Sequence, residues 1–282
     1  MEYWINALLL PAEELVPIAQ AADELGFAGI ALADHAVMPE VINSQYPGGK
    51  LPWDTSMTWP DVWVQIGALA AVTERLRFAT NVYVLPARHP LVVARAVSTA
   101  AAISGDRVVL GIGVGWMSEE FDAMGQRFDD RGARANESLE ILRMAFAGKP
   151  VEYHGEHYRI PRVHLKPAPS KPVPIWVGGE SPAALRRAAR LGDGWISGRD
   201  LDSMEARLPD LQRELEAAGR TNTSFALVGS AHHAPGDAEL ERCRALGILQ
   251  LKVQPWVWQA DGPVDLSSKL RALERFATEF IG

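Results

Sequence analysis

The chain holds a single cysteine, Cys243, among 282 residues. That excludes an internal disulfide and any cysteine-cluster metal site. A basic excess is missing too: 28 Lys and Arg stand against 35 Asp and Glu, a formal net charge of −7 with an isoelectric point near 5.6. Such a balance offers nucleic acid no electrostatic footprint. No apolar run approaches the roughly 18 residues that a membrane span needs. The opening stretch "MEYWINALLLPAEEL" lacks a basic region, and its apolar run is too short for a signal peptide. The expectation is a cytoplasmic protein without nucleic-acid or membrane partners. Its hydrophobic share of 48% allows a large packed interior.

A dinucleotide fingerprint is also absent. "VVLGIGVGWMSEEF" sets Gly111, Gly113 and Gly115 in a G-x-G-x-G run rather than G-x-G-x-x-G. No helix opens at the third glycine; Trp116 follows instead, and the next long helical pattern begins at Arg131. A Rossmann site needs that helix, and an acidic residue about 20 residues on.

What the chain does have is alternation. Short apolar runs at residues 4–10, 28–34, 75–84, 107–113, 173–179, 194–198, 224–231 and 248–254 are each followed by an amphipathic stretch. Two of those stretches carry clear caps, Asp61 before "VWVQIGALAAVT" and Ser181 before "PAALRRAARLG". Residues 202–219 read as one helix. Eight apolar strands, each leading into a helix, imply a parallel sheet covered by helices. In a chain of this length they fit a (β/α)8 TIM barrel, one domain over residues 1–282. A Pro- and Gly-rich insertion follows strand two, over about residues 37–60. "VEYHGEHYRI" (151–160) reads as a small hairpin inserted before strand five. Barrel chemistry sits at the C-terminal strand ends, so those positions form the short list.

Strand four ends in the glycine run, where small residues let a flat ligand approach the backbone or simply ease a turn. Strand five ends in Val177, Gly178 and Gly179, and Ser181-Pro182 opens the next helix. Free N–H groups and the positive end of the helix dipole suit a phosphate there. A well-capped helix without a ligand is the alternative. Glu180 would repel a phosphate unless its side chain points away.

"GVGWMSEEFDAMGQRFDDRGARANESLEIL" and "PIWVGGESPAALRRAARLGDGWI" together resemble the luciferase-like family of flavin- and deazaflavin-dependent oxidoreductases. The similarity extends through "LADHAVMP", "FATNVYVLPARHPLVVARAVSTAAAISGDRVVLGIG" and the hairpin, and it fades over the last two units. The resemblance implies coenzyme F420, or FMN as in other branches, and a small-molecule substrate; a homodimer is an open expectation. It places a backbone bulge, often a non-prolyl cis peptide, at Thr80, Asn81 and Val82, supporting the cofactor ring. The family usually has glycine where this chain has Asn81. Gly113 and Gly115 fall beside the ring, and Gly178, Gly179, Glu180 and Ser181 match the cofactor-phosphate turn. Asp34 and His35 match the Asp-His position at the reactive edge, with His35 as the catalytic candidate.

Several F420-dependent members carry a glutamate acid directly after the strand-four glycines, where this chain has Trp116. The nearest carboxylates are Glu119 and Glu120, and Glu120 is expected to pair with Arg131 and brace the helix. Trp53, Trp59, Trp256 and Trp258 are candidates to wall an apolar pocket, against the commoner fate of tryptophan as core. His232 and His233 end strand seven without a third ligand, so no metal is expected. The main reading is an F420-dependent hydride-transfer oxidoreductase. Its rivals are an FMN monooxygenase, a carrier that binds such a ligand without catalysis, and a phosphate-handling isomerase or lyase barrel.

Overall fold

The computed structural model describes residues 1–221, 224–258 and 264–282. The first strand, β1 (Glu2–Asn6), leads to α1 (Ala12–Glu24), and β2 (Gly29–Leu32) leads through an insertion to α2 (Val62–Ala70). Next come β3 (Arg77–Thr80), its short continuation β4 (Tyr83–Val84) and α3 (Pro90–Ser104). The fourth unit is β5 (Val108–Gly113) with α4 (Ser118–Ala123) and α5 (Arg131–Phe146). A hairpin, β6 (Val151–His154) and β7 (Arg159–Val163), precedes β8 (Ile175–Gly178) and α6 (Pro182–Leu191). Then follow β9 (Gly194–Ile196), α7 (Leu201–Glu205) and α8 (Leu208–Ala217). The last two units are β10 (Ala226–Ser230) with α9 (Asp237–Ala245), and β11 (Gln250–Val253) with α10 (Pro255–Trp258) and α11 (Leu266–Phe280).

Eight strands close a parallel ring. The order β1-β2-β3-β5-β8-β9-β10-β11 returns to β1 through Glu2 opposite Gln250 and Tyr3 opposite Leu251. Alternate residues of each strand face the ring's interior, where Trp4, Ala31, Ala79, Val109, Trp176, Ile196 and Val228 pack together. Trp4 and Trp176 meet edge to face at 5.1 Å. Two indoles fit because two strand positions lack side chains: a Cβ on Gly29 would fall 2.3 Å from the Trp4 ring, and one on Gly194 2.7 Å from Trp176. The opposite strand faces bury a second, larger core under the helices.

Both expected caps form. The Asp61 carboxylate accepts from the N–H groups of Trp63 and Val64, and the Ser181 hydroxyl oxygen from Ala184. The helix expected over residues 202–219 is two, α7 and α8, broken at Ala206 and Arg207. Pro209 sits in the first turn of α8, where a missing N–H costs no helical bond, whereas mid-helix it would.

Residues 33–61 contain no helix or strand. The hairpin β6–β7 is antiparallel and lies outside the ring. The Glu137 carboxylate of α5 ties its turn down by accepting from the N–H groups of Glu156, His157 and Tyr158.

Candidate active site

Asp34 and His35 leave the end of β2 in opposite directions. The Asp34 carboxylate takes a two-pronged contact from Arg88, at 2.6 and 2.8 Å, and the Val84 N–H at 3.0 Å. It is buried, and it ties the strand-two end to the segment after β4. His35 turns instead to Glu120. Its Nδ1 lies 3.0 Å from Glu120 Oε2, and Oε1 accepts the Ala36 N–H at 2.6 Å. Glu120 is fully buried. With a carboxylate as acceptor, a neutral imidazole in this geometry donates from Nδ1 and keeps its lone pair on Nε2.

The expected Glu120–Arg131 pair does not form. Arg131 donates to the carbonyls of Gly115 and Phe128 and lies 3.7 Å over the Phe128 ring. The short helix α4 turns Glu120 inward beneath His35, while Arg131, at the start of α5, faces loop carbonyls.

Aromatic rings enclose this dyad. Trp59, Trp53 and Trp116 centre 4.7, 5.9 and 6.2 Å from the His35 ring. Tyr46 bridges Trp53 and Trp116 at 5.4 and 5.2 Å, and Trp53 meets Trp59 at 5.1 Å. The indole nitrogens of Trp53 and Trp59 are buried without a hydrogen-bond partner. The insertion is moored by Glu119, which accepts from Asn43 N at 2.7 Å and Ser44 N at 3.0 Å, and by the Ser44–Ser118 hydroxyl pair at 2.9 Å. Burial opposes ionisation of Glu119, but the Ser44 hydroxyl and the backbone N–H donors prevail and bring its carboxyl down to about 2.

Trp256 and Trp258 do not join this wall. The turn of α10 carries them back toward α11, where Trp256 is core and Trp258 packs 6.2 Å from Phe276.

Next to the dyad, β3 breaks into β4 through a cis peptide between Asn81 and Val82. Thr80 holds the break by donating from Oγ1 to the Gly111 carbonyl at 2.6 Å. Val82 takes the room left by two glycines: a Cβ on Gly113 or Gly178 would come within 2.6 or 2.9 Å of its methyls. The strand-four and strand-five glycines therefore make way for this valine. Gly115, at φ +81°, makes way for Phe121 and Val84. Val177 is buried in β8. Gly179 adopts φ +112°, a conformation other residues rarely take, just before the Ser181 cap. Glu180 turns toward Ser197, whose hydroxyl donates to Oε1 at 2.8 Å, and its Oε2 is buried without a partner.

His232 and His233 are exposed, and among the described residues no group of His, Cys, Asp and Glu is arranged to hold a metal. Sequence reasoning passed over Tyr46 and Lys252, and it misassigned Glu120. Lys252 had a visible signal, a charge inside the apolar strand "ILQLKVQ".

A closed parallel barrel with its polar and aromatic side chains gathered at the C-terminal strand ends has the build of a barrel enzyme. The sequence model of the luciferase-like monooxygenase family matches residues 6–269, and the chain belongs to that family as an oxidoreductase. It is 37% identical over 272 residues to an uncharacterized protein of Mycobacterium tuberculosis, covering 94% of each chain. It is 31% identical over 280 residues to an F420-dependent glucose-6-phosphate dehydrogenase of Microbacterium testaceum, covering 95% of this chain and 79% of that one. The monooxygenase RslO1 of Streptomyces bottropensis shares the fold, with a TM-score of 0.77 at 22% identity over 100% of this chain and 99% of that one.

Proposed function

We propose that the chain is an F420-dependent oxidoreductase acting on a small alcohol or ketone with an apolar skeleton. The observation that carries this reading is the His35–Glu120 dyad enclosed by Tyr46, Trp53, Trp59 and Trp116. A relative named as F420-dependent, similar over 95% of this chain, supports the cofactor.

The residues present fit such a cofactor. Val82, packed across Gly113 and Gly178 and only half-buried, offers the ring an apolar contact at the floor of the site, beside the end of β3. Gly179 and the Ser181-capped start of α6 suit its phosphate, and Glu180 is turned aside toward Ser197. When bound, the deazaflavin ring supplies a two-electron hydride acceptor or donor, with carbon where a flavin has N5. His35 handles the proton. Its Nε2 lone pair takes the hydroxyl proton as the alcohol is oxidised and returns it in the reverse direction. Glu120 fixes the ring orientation and steadies the imidazolium. The indole and phenol rings exclude water and receive the apolar skeleton.

Absorbance titrations with F420 and with FMN, followed by turnover on secondary alcohols and ketones, test the reading. Tight F420 binding with turnover supports it. Binding of FMN alone, with oxygen-dependent turnover, replaces it with a monooxygenase on the same floor. Binding without turnover leaves a carrier.

A further inference from the structure

β11 carries a charge where its neighbours carry core. Lys252 lies in register with Trp4 and Ser230, faces the barrel interior and is 4% exposed. Its Nζ donates to Asn81 Oδ1 at 3.1 Å and to the Ser197 carbonyl at 3.3 Å, both neutral acceptors. The charged group facing it is Glu180, which is engaged by the Ser197 hydroxyl and makes no direct ion pair with it. Burying an ammonium among neutral acceptors is costly. Burial brings Lys252 down to about 7, against the opposing pull of Glu180, and an anionic neighbour would return it to its charged form.

The contact also orients Asn81. An ammonium only donates, so the amide oxygen faces Lys252 and the amide nitrogen, with two N–H donors, points away. Asn81 is half-buried on the bulge beside Val82. A cation and an amide it polarises therefore stand together at the edge of the floor described above.

We propose that Asn81 and Lys252 recognise the acceptor-rich pyrimidine edge of the cofactor ring. Asn81 donates to that edge, and Lys252 is a positioning residue whose charge favours the reduced ring. A ring bound there would carry added negative charge on that edge when reduced by hydride (two electrons and one proton), so the Lys252 cation would hold the reduced state more tightly. F420 and FMN share this edge. The proposal rests on the flavin or deazaflavin reading of the site but does not choose between the two.

Dissociation constants for oxidised and reduced cofactor, measured anaerobically at one pH, test it. The wild type is expected to prefer the reduced form. Lys252→Met should lower that preference about tenfold, equivalent to a fall of about 30 mV in the bound two-electron potential. Asn81→Gly, which removes the donor and leaves Lys252 in place, should lower it severalfold. Equal weakening of both redox forms in Lys252→Met, with a cooperative melt retained, would reduce the lysine to a structural role and overturn the proposal. If Lys252→Met does not fold, an unchanged preference in Asn81→Gly overturns it. Failure of the wild type to bind either cofactor removes the underlying reading, and this proposal with it.

Discussion

An imidazole whose Nδ1–H is held by a buried carboxylate offers one free lone pair, and His35 is that imidazole. With cofactor saturating, His35→Ala should lower kcat by about 10²–10⁴-fold. Glu120→Gln is the sharper experiment. An amide nitrogen facing Nδ1 donates to it, which forces the proton onto Nε2 and abolishes the base. This variant should approach the alanine loss while cofactor affinity stays within about twofold, as judged by kcat beside the dissociation constant; near wild-type kcat would remove the dyad from the chemistry. Lys252 gives a pH signature. Its folded pKa, about 7, lies below the unfolded value of a lysine, so between the two the unfolded chain holds more protons. Stability therefore rises with pH across that window, and the cost is fully present below it. The melting temperature of the wild type should gain on that of Lys252→Met as pH rises from about 7 toward 10. A constant difference would place the lysine's pKa elsewhere. The position of His35 just past strand two was legible from the sequence. The contact of Glu120 with it was not, because 85 residues separate the pair and Arg131, in the same stretch of sequence, offered a nearer partner to brace the helix.

Helix α6 and the insertion are the elements that build the cradle and the enclosure. Ser181→Ala removes a cap, so it should cost about 1 kcal/mol of stability. It should also weaken cofactor binding about fivefold or more if the phosphate sits there. Gly179→Val is a poor companion substitution, because a side chain at φ +112° is strained and its Cβ would lie 3.1 Å from that of Ala184. For the insertion, the anchor is Glu119. Its carboxyl is depressed to about 2, so the stability it lends is present above the ordinary glutamate range and is lost as pH falls toward 2. Glu119→Gln should release the segment at neutral pH. The expected readouts are faster proteolysis within residues 37–60 and a change in tryptophan fluorescence, with the barrel's cooperative melt retained. Unaltered cleavage would show that Ser44 and Ser118 hold the segment unaided. The cap at Ser181 was readable because Ser-Pro before a periodic apolar pattern has one common meaning. Trp53 and Trp59 were readable as wall candidates, but their meeting with Tyr46 was not, because residues 33–61 follow no period that would say which rings meet.

At the scale of the whole molecule, each barrel strand depends on two neighbours, including the pair that joins the ends of the chain. The eight-strand ring was legible because every apolar run led into a helix pattern, even where the family resemblance faded over the last two units. Those units are structural necessities. β11 pairs with both β1 and β10, and α11 buries Leu273 and Phe276, with Phe276 meeting Tyr3 at 5.1 Å and Phe27 at 5.7 Å. Removing residues 248–282 would leave the N–H and C=O groups of two strand edges unpaired and expose the core under Tyr3 and Phe27. Unpaired buried backbone and lost apolar burial act together here, and each buried large side chain alone contributes about 1.5–3 kcal/mol. Net stabilities of natural domains are about 5–15 kcal/mol, so the loss should exceed the margin. The truncated chain is expected to be aggregated or to melt without a cooperative transition by circular dichroism. Supplying residues 248–282 as a separate peptide should restore some cooperative unfolding, because the missing strand and helix can dock on edges already shaped to receive them. A truncated chain that is soluble and melts in one sharp transition would mean that the other seven units fold without closure, and that the ring is a consequence of packing rather than its condition.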